Sequence, residues 1–329
     1  MASIISLDGS RYIGCPIVYK IKAGNIDDSA TFHRVRLVVT ITSSDGTSTP
    51  FEFSTPAADN EDVYFDISSA FRAMADQYEY TPAGMDSYPY WTLVADAYDD
   101  YLLNGVEHRG ENQAHSVDGG HFYVGKLTDR ERLTGERPTY YTRKPTSSPE
   151  VCFIGNPYIL AGNMSSSPSA SLQPSDHKVK AGMQTYGVYK IYGINQPADG
   201  FEMRFINSLG VHENVFITCL RQSEVNIKND FHVIARQETL TKFSRGVNIK
   251  QNDYEQWKMS SGPIDRAWQQ WWLHEPLMAK WAWLNVDSQW LPVHIVPEET
   301  VTGIDRAKGN LLEVQFTLRF DINGNPFKS

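Results

Sequence analysis

The chain has 329 residues, of which 41% are apolar and 12% aromatic, and its formal net charge at pH 7 is −9. This composition supplies enough apolar surface for a packed core and excludes disordered and collagen-like chains. The acidic balance disfavours nucleic-acid binding, which depends on Lys and Arg to neutralise phosphates, although "RPTYYTRK" at 137–144 would form a local basic patch. We therefore expect no nucleic-acid readout.

The cysteines and the apolar segments indicate the compartment. The three cysteines are widely spaced, which argues against a disulfide framework or a zinc site and predicts reduced, partly buried thiols. The N-terminal segment lacks the basic and apolar regions of a signal peptide. No stretch approaches the roughly 18 apolar residues of a membrane helix. The sequence thus predicts a protein made in a cytoplasm, with no membrane span.

In chain order, the first half reads mainly as antiparallel strands. Residues 33–42 alternate apolar and polar side chains, as a half-buried strand does. Asp45-Gly46 then predicts a hairpin turn, and Asn104-Gly105 predicts a second one. Between these turns, the stretch from 61 to 78 reads as a strand that leads into a short helix.

The middle of the chain lacks a periodic pattern. Residues 106–147 are polar and rich in Gly, His and Arg, so we expect a long polar excursion that ends in a linker. A Ser/Pro-rich exposed loop is expected at 163–178. Strand patterns return from residue 185, and a Trp-rich helix near 264–274 interrupts them. The alternation from Leu312 to Phe320 predicts the last strand.

These elements predict an all-β (β-rich) fold. We expect two antiparallel β-sandwich or barrel modules with a few short helices. The expected boundaries are 1–147 for the N-terminal β domain, which includes the polar excursion, and 148–329 for the C-terminal β domain, which includes the Trp-rich helix.

One short phrase occurs twice, as Tyr12-Ile13-Gly14-Cys15-Pro16 and as Phe153-Ile154-Gly155-Asn156-Pro157. Each copy lies where a module would start. Gly permits a left-handed conformation or a close approach, and Pro stops strand pairing on one side. We interpret the phrases as entries to edge strands that face a neighbouring subunit. A true duplication stays open, because the residues that follow the two copies differ.

Seven of the eight Trp residues lie between 257 and 290, which is an unusual concentration. They could fill a core, anchor a protein interface or form a glycan-binding platform. The spacing of Trp268, Trp271 and Trp272 puts them on one helix face, which favours core positions. Seven Trp are many for one small core, so we expect some at an interface. The candidate interface residues are Trp257, Trp271, Trp281, Trp283 and Trp290, together with Tyr12 and Phe153.

No catalytic, cofactor or metal site is predicted. The segment with His108, His115, Asp118 and His121 has metal-ligand residue types, but its spacing fits an exposed polar loop better. The nearby carboxylates Asp96, Asp99 and Asp100 have the residue type of a glycosidase pair, although solvent-facing carboxylates are commoner. The chain has no phosphate-binding loop, dinucleotide fingerprint or G-x-S-x-G motif.

Several phrases resemble virion or tail-associated structural proteins of phages and prophages of Bacteroides-type gut bacteria, including crAss-like phages. They are "YFDISSAFRA", "FIGNP", "GFEMRFINSLGVHENVFI", "AWQQWW" and "LPVHIV…LLEVQFTLRFD". The first copy of the repeated phrase departs from this pattern, with Cys15 where Asn156 stands in the second. The resemblance extends over most of the chain, and its motifs are structural rather than catalytic.

The resemblance implies a non-catalytic subunit of a tail, baseplate or connector ring. Such a subunit would form a homo-oligomeric ring, contact neighbouring virion proteins and reside in the virion after synthesis in the host cytoplasm. The alternative is a carbohydrate-binding β-sandwich module that takes part in host-surface recognition, with glycan contact through the Trp and Tyr surfaces. A hydrolytic or metal-dependent enzyme is the third class, and it would need His108, His115 and Asp118 to converge.

Overall fold

The computed structural model describes residues 2–26, 29–76, 80–82, 89–109, 113–135, 138–159, 178–234, 245–296 and 312–320, with only the backbone for 113 and 219–255. Antiparallel strands dominate these ranges, and the helices are short. The predicted β-rich fold is therefore confirmed. No helix in these ranges is long and apolar enough to cross a membrane. The predicted Ser/Pro-rich loop falls outside them, except for its last residue.

The N-terminal part forms two antiparallel sheets. One has the order β1–β2–β5, and the other has the order β4–β3–β6–β7, with β8 also paired to β6. The strands are β1 (Ser3–Gly9), β2 (Ile17–Lys22), β3 (Ala30–Ser43), β4 (Ser48–Pro56), β5 (Asp62–Asp66), β6 (Tyr90–Leu103), β7 (Val106–His108) and β8 (Gln113–Tyr123).

The predicted alternation of β3 is confirmed. Its inward residues Val35, Leu37, Val39 and Ile41 are fully buried and belong to one core with residues of β2, β5 and β6. Both predicted hairpins form, one between β3 and β4 and one between β6 and β7. Their turns use left-handed backbone at Gly46, Asn104 and Gly105, as these residue types permit.

Helix α1 (Ser68–Ala75) follows β5 directly, as the sequence predicts. Its first N–H group is satisfied by Asp66, whose Oδ1 accepts a hydrogen bond from the Ser68 N–H at 2.9 Å. Phe71 and Met74 are buried on the inner face. The Phe71 ring lies 4.6 Å from the ring of Phe122, and this contact ties the helix to the end of β8.

The prediction of an excursion without periodicity over 106–147 is wrong for its first part. Residues 113–123 form β8, which pairs with β6 from Tyr98 to Tyr90. Exposure alternates along this strand, but its inner positions include Ser116, Asp118 and Gly120, so hydrophobicity does not alternate with it. A strand of this kind gives no period-2 apolar signal. Helix α2 (Asp129–Thr134) begins with a capping box formed by Thr128 and Glu131.

The C-terminal part forms a three-stranded sheet, β10–β11–β9, and a seven-stranded sheet, β13–β12–β16–β17–β18–β15–β14. The pair β9–β11 is parallel, and all other pairs are antiparallel. The strands are β9 (Glu150–Phe153), β10 (Gly182–Tyr186), β11 (Tyr189–Ile194), β12 (Phe201–Ile206), β13 (His212–Ile217), β14 (Cys219–Ile234), β15 (Arg245–Ser260), β16 (Ala282–Val286), β17 (Gln289–Val296) and β18 (Gln315–Phe320).

The predicted Trp-rich helix is α3 (Arg266–His274), and a short 3-10 helix (Pro276–Met278) follows it. Asp265 is the N-cap, because its Oδ1 accepts a hydrogen bond from the Trp268 N–H at 2.9 Å. Trp268, Trp271 and Trp272 are buried, as their spacing predicts. Trp272 packs 5.3 Å from Phe316 of β18, so this stripe covers one face of the large sheet.

Candidate functional site

The two halves of the sequence meet in a small hydrophobic cluster, which we call the junction. Two backbone hydrogen bonds run beside it, from the Gly14 N–H to the Gly125 carbonyl at 2.8 Å and from the Lys126 N–H to the Ser208 carbonyl at 2.6 Å. The predicted division at 147/148 stays a prediction, but residues from both sides of it share this core. The junction consists of Tyr12, Cys15, Leu127, Tyr141, Leu209 and Val211.

A cleft of about 490 Å³ lies beside the junction, and we take it as the candidate site. It is lined by α1, the Ile13–Gly14 segment, the residues after β8, the connection after β12 and the residues after α3. Concave apolar surface with a few polar groups is the usual form of a binding site. The apolar lining comes from Ile13, Ala75, Val124, Ile206, Met278, Ala279 and Trp281.

Three cationic side chains line the cleft, and they differ in whether another side chain binds their charged group. Lys280 forms an exposed ion pair with Asp76 at the end of α1 and lies 4.7 Å from the Trp281 ring. Among the described residues, no side-chain hydrogen bond or ion pair engages the ammonium group of Lys126. Arg72 also lines the cleft, and its guanidinium binds Ser68 within α1. The cleft thus combines apolar surface with positive charge at its edge.

Glu275 closes the inner side of the cleft. Its carboxylate is buried and accepts hydrogen bonds from the Ser208 N–H at 2.8 Å and the Ser208 hydroxyl at 2.6 Å. Arg143 donates to it at 2.9 Å and to Glu131 of α2 at 2.7 Å. These contacts link α2, the residue after α3 and the β12–β13 connection behind the cleft.

The repeated phrase has two different structural roles. At Gly14, an added Cβ would lie 2.7 Å from the Gly125 carbonyl oxygen, so glycine is required for a close approach of two backbones. At Gly155, a Cβ would meet no atom within 4 Å, but φ is +87°, so glycine serves a left-handed turn there. The two copies are similar in sequence, but the glycine permits a close backbone approach in the first copy and a left-handed turn in the second.

We therefore expect the same substitution to act differently at the two glycines. Gly14→Asn should lower the free energy of unfolding by about 1–3 kcal/mol, because the side chain overpacks the Gly14–Gly125 crossing. Gly155→Asn should cost less than about 1 kcal/mol, because Asn tolerates left-handed backbone and the space is open. Urea denaturation of both variants measures the difference, and equal losses would contradict this assignment.

A buried ion pair lies behind the junction. Lys144 Nζ donates to both Glu150 oxygens, at 3.0 and 2.9 Å, and to the Asn214 carbonyl at 2.7 Å. It also lies 4.9 Å from the Tyr158 ring and 5.4 Å from the Trp271 ring. Burial raises the pKa of Glu150, and Lys144 opposes that shift.

The basic patch considered for 137–144 is therefore not formed by its last two cations. Lys144 is buried in the pair with Glu150, and Arg143 is bound to Glu131 and Glu275. Arg137 lies outside the described residues. Basic residues that are adjacent in the sequence here pair with different internal carboxylates, because the segment runs through the interior rather than over the surface.

Two further buried carboxylates lie on β12 and β13. Glu202 accepts hydrogen bonds from Arg204, Asn156 and Asn214, at 3.1 to 3.2 Å. Glu213 is buried, and neither of its oxygens makes a hydrogen bond of good geometry. Burial raises the pKa of Glu213 to about 7.

Four of the predicted interface residues are instead internal. Tyr12 belongs to the junction, Phe153 packs 5.1 Å from Phe216, Trp271 packs on Phe205, and Trp283 lies beside His212. All four are buried, so their rings contribute to cores within one chain and offer almost no surface to a neighbouring subunit.

The other three candidates, Trp257, Trp281 and Trp290, are half-buried, and for them the interface assignment stays a prediction. No Trp between 257 and 290 is fully exposed. A glycan platform needs an open aromatic face, so the glycan alternative gains no support from these rings.

The candidate catalytic and metal residues each have a local partner. His115 binds Asp96 at 2.7 Å, and Asp118 binds Arg11 at 2.7 Å. The rings of His108 and His121 stack on Tyr101 and Tyr90. On the same strand as Asp96, Asp99 contacts His33 and Asp100 contacts Arg36. The structure therefore does not bring His108, His115 and Asp118 to one point.

Sequence reasoning missed one exposed aromatic residue. Phe32 lies in a β-bulge of β3, between the paired residues Thr31 and Arg34. Its φ is +54°, and its side chain is 81% exposed. Left-handed backbone costs a residue with a Cβ roughly 1–2 kcal/mol. The sequence did contain a signal for this residue. If the alternation of apolar and polar residues over 33–42 is extended by one residue, Phe32 falls on the polar side.

One antiparallel strand pair in the C-terminal half is unusually long. β14 and β15 have 16 residues each and pair from Cys219–Ser260 to Ile234–Arg245. β18 covers β15 only at 256–260. The ten pairs from Val225–Glu255 outward have no third strand among the described residues, and we call residues 225–234 and 245–255 the arm. The arm is about 30 Å long at roughly 3.4 Å per residue.

The continuous β14 had a sequence signal as well. Residues 219–234 contain no Gly or Pro, so no residue type in this stretch indicates the end of a strand.

No protein-family model, curated protein or solved structure matches the chain.

Proposed function

We propose that the protein is a non-catalytic structural subunit of a phage particle. It acts in a tail, baseplate or connector ring, it binds further copies of itself and neighbouring virion proteins, and it resides in the virion. The observation that carries this proposal is the arm, a two-stranded ribbon that extends beyond the seven-stranded sheet.

Within the described part of the chain, no strand pairs with either outer edge of the arm. An isolated two-stranded ribbon is marginally stable in water, and both of its edges present free N–H and C=O groups. Such edges gain stability when a strand from another chain pairs with them. A ribbon of this length therefore fits an element that completes its pairing in an assembly.

The β4 edge of the N-terminal sheet differs from the arm, because proline residues block strand pairing there. The Ser43 N–H donates to the Thr47 carbonyl at 2.9 Å, which fixes the hydrogen-bonding phase of the β3–β4 ladder. By that phase, Pro50 and Pro56 occupy positions of β4 whose nitrogens face outward, and Pro has no N–H to offer. The β4 edge is protected against pairing in the usual way, and β14 and β15 contain no Pro.

Removal of the arm tests the proposal. We expect the full chain to form defined oligomers, and a variant with an Asn-Gly turn in place of 226–254 to lose the contacts of the arm and therefore to form smaller oligomers, by light scattering and native mass spectrometry. The variant keeps the pairing of 256–260 with β18, so its thermal unfolding should stay cooperative. Ser54→Pro, which removes another outward N–H from β4, is the matched control and should leave the oligomer intact.

Two outcomes would contradict the proposed function. One is a full chain that stays monomeric at every concentration tested. The other is absence of the protein from purified particles analysed by mass spectrometry.

A further inference from the structure

We propose that copies of this chain join head to tail, with the exposed Phe32 ring of one copy inserted into the cleft of the next. This inference rests on the proposed function, and it names the two surfaces that meet. Neither surface belongs to the arm, so the two contacts can be separated by experiment.

Phe32 has the properties of an anchor. It stands 81% exposed, and it is absent from every hydrophobic cluster formed by the described residues. A bulky residue with φ of +54° is a backbone outlier where Asn or Gly would be relaxed. Strain of this kind concentrates at functional sites, and bulges often re-aim a side chain. Within one chain, nothing described compensates for this conformation.

The cleft has the complementary properties. Its volume of about 490 Å³ accommodates an aromatic side chain together with residues that flank it. Its lining is largely apolar and includes the half-buried Trp281, whose ring packs 4.5 Å from the Tyr80 ring and extends the apolar surface of the cleft. Arg72, Lys126 and Lys280 line the same cleft, and cations are attracted to the face of an aromatic ring. These features suit an aromatic occupant better than an aliphatic one.

The two surfaces lie at opposite ends of one sheet. Phe32 adjoins Thr31, which pairs with Leu102 at the far end of β6. The cleft adjoins Val124 and Gly125, which follow β8 where Tyr123 pairs with Tyr90 at the start of β6. Ser43, which pairs beside that start, lies eleven residue steps along β3 from Phe32, and this corresponds to about 35 Å.

This placement determines the symmetry of the contact. A ring at one end cannot enter the cleft at the other end of its own chain while that sheet stays extended. A contact between unlike patches is heterologous, and it produces a closed ring or an open filament according to the rotation between subunits. Head-to-tail contact is therefore consistent with a ring subunit.

Two single variants test the contact from its two sides. Phe32→Asn removes the ring and suits left-handed backbone, so the fold is retained. Ala279→Trp fills the cleft with a side chain of the chain itself. In the chain whose arm is replaced as above, we expect each to raise the subunit dissociation constant at least ~30-fold, as loss of a central aromatic anchor does. Leu133→Asn, at an α2 residue that is 87% exposed, is the matched control and should have no effect.

Mixing the two variants tests the head-to-tail geometry directly. The Ala279→Trp chain keeps an intact Phe32, and the Phe32→Asn chain keeps an intact cleft. Their mixture should give one-to-one dimers in native mass spectrometry and nothing longer through this contact. The experiment is done with both arms replaced as above, which removes assembly through the arm.

The outcomes separate this inference from the proposed function. Oligomers of the arm-replaced chain that survive Phe32→Asn overturn the inference and leave the proposed function intact. Oligomers that are lost with Ala279→Trp but retained with Phe32→Asn show that the cleft has another occupant, which also overturns it. A full chain that is monomeric overturns the proposed function itself.

Discussion

Replacement of Lys144 by methionine is expected to lower the free energy of unfolding by about 3–5 kcal/mol, the largest loss we expect from a single substitution here. The ammonium group is buried and donates three hydrogen bonds, two of them to Glu150. Without it, the Glu150 carboxylate is left inside the protein with no counter-ion. The cost of an unpaired buried charge exceeds the net gain from the pair itself.

The pH dependence of this loss follows from the same argument. Burial already raises the pKa of Glu150 with Lys144 present, and removal of the cation raises it further. At acidic pH the carboxyl is neutral in the variant, so the loss should shrink as the pH falls. Urea denaturation at pH 8 and pH 5 measures both values.

Two controls distinguish a buried pair from ion pairing in general. Lys280→Met breaks an exposed pair with Asp76 and should cost less than about 1 kcal/mol. The double variant Lys144→Met/Glu150→Leu removes both charges and should recover much of the lost stability. A double variant as unstable as Lys144→Met alone would show that packing, not charge, determines the effect.

Replacement of Glu213 by glutamine is expected to stabilise the protein above neutral pH, by up to ~3 kcal/mol at pH 8. Burial raises the pKa of Glu213 from 4.5 to about 7. The contribution of this group to stability is fully present below 4.5, and it is lost as the pH rises through 7. Glutamine does not ionise, so the variant avoids that loss.

The comparison of variant and wild type isolates this one group. The difference in unfolding free energy should be small at pH 4 and should grow between about pH 4.5 and 7. Glu131→Gln is the matched opposite: burial raises the pKa of Glu131, but hydrogen bonds from Arg143 and Thr128 outweigh that and lower it. Its variant should lose stability at pH 7 and little at low pH. A Glu213→Gln difference that is flat with pH would refute the assignment.

Regular local patterns made the first sheets and the Trp-rich helix predictable. The alternation of β3 and the spacing of Trp268, Trp271 and Trp272 each match one structural period, and both are confirmed. β8 could not be predicted in this way, because its inner face carries Ser, Asp and Gly. This strand is determined by its backbone pairing with β6 and not by an alternation of apolar side chains.

The candidate site was less accessible to sequence reasoning. The junction joins residues about 200 positions apart, so no local pattern indicates that Tyr12 is internal. From the sequence, Lys144 is expected at the surface, because Lys is almost never buried without a partner. Its partner Glu150 lies beyond the predicted linker, so the sequence does not indicate the pair. The alternation of β3 puts Phe32 on the polar side, but the bulge that turns its ring outward depends on the β3–β6 register, which the sequence does not show.

The junction also sets an order of events during synthesis. Tyr12 and Cys15 pack against Leu209 and Val211, which leave the ribosome roughly 200 residues later. At roughly 5–20 residues per second, that interval lasts about 10–40 s. The β3–β4 and β6–β7 hairpins need only neighbouring residues and can form early. The first copy of the repeated phrase can hydrogen-bond to Tyr123 and Gly125 earlier, but its packing against Leu209 and Val211 has to wait until the β12–β13 connection emerges.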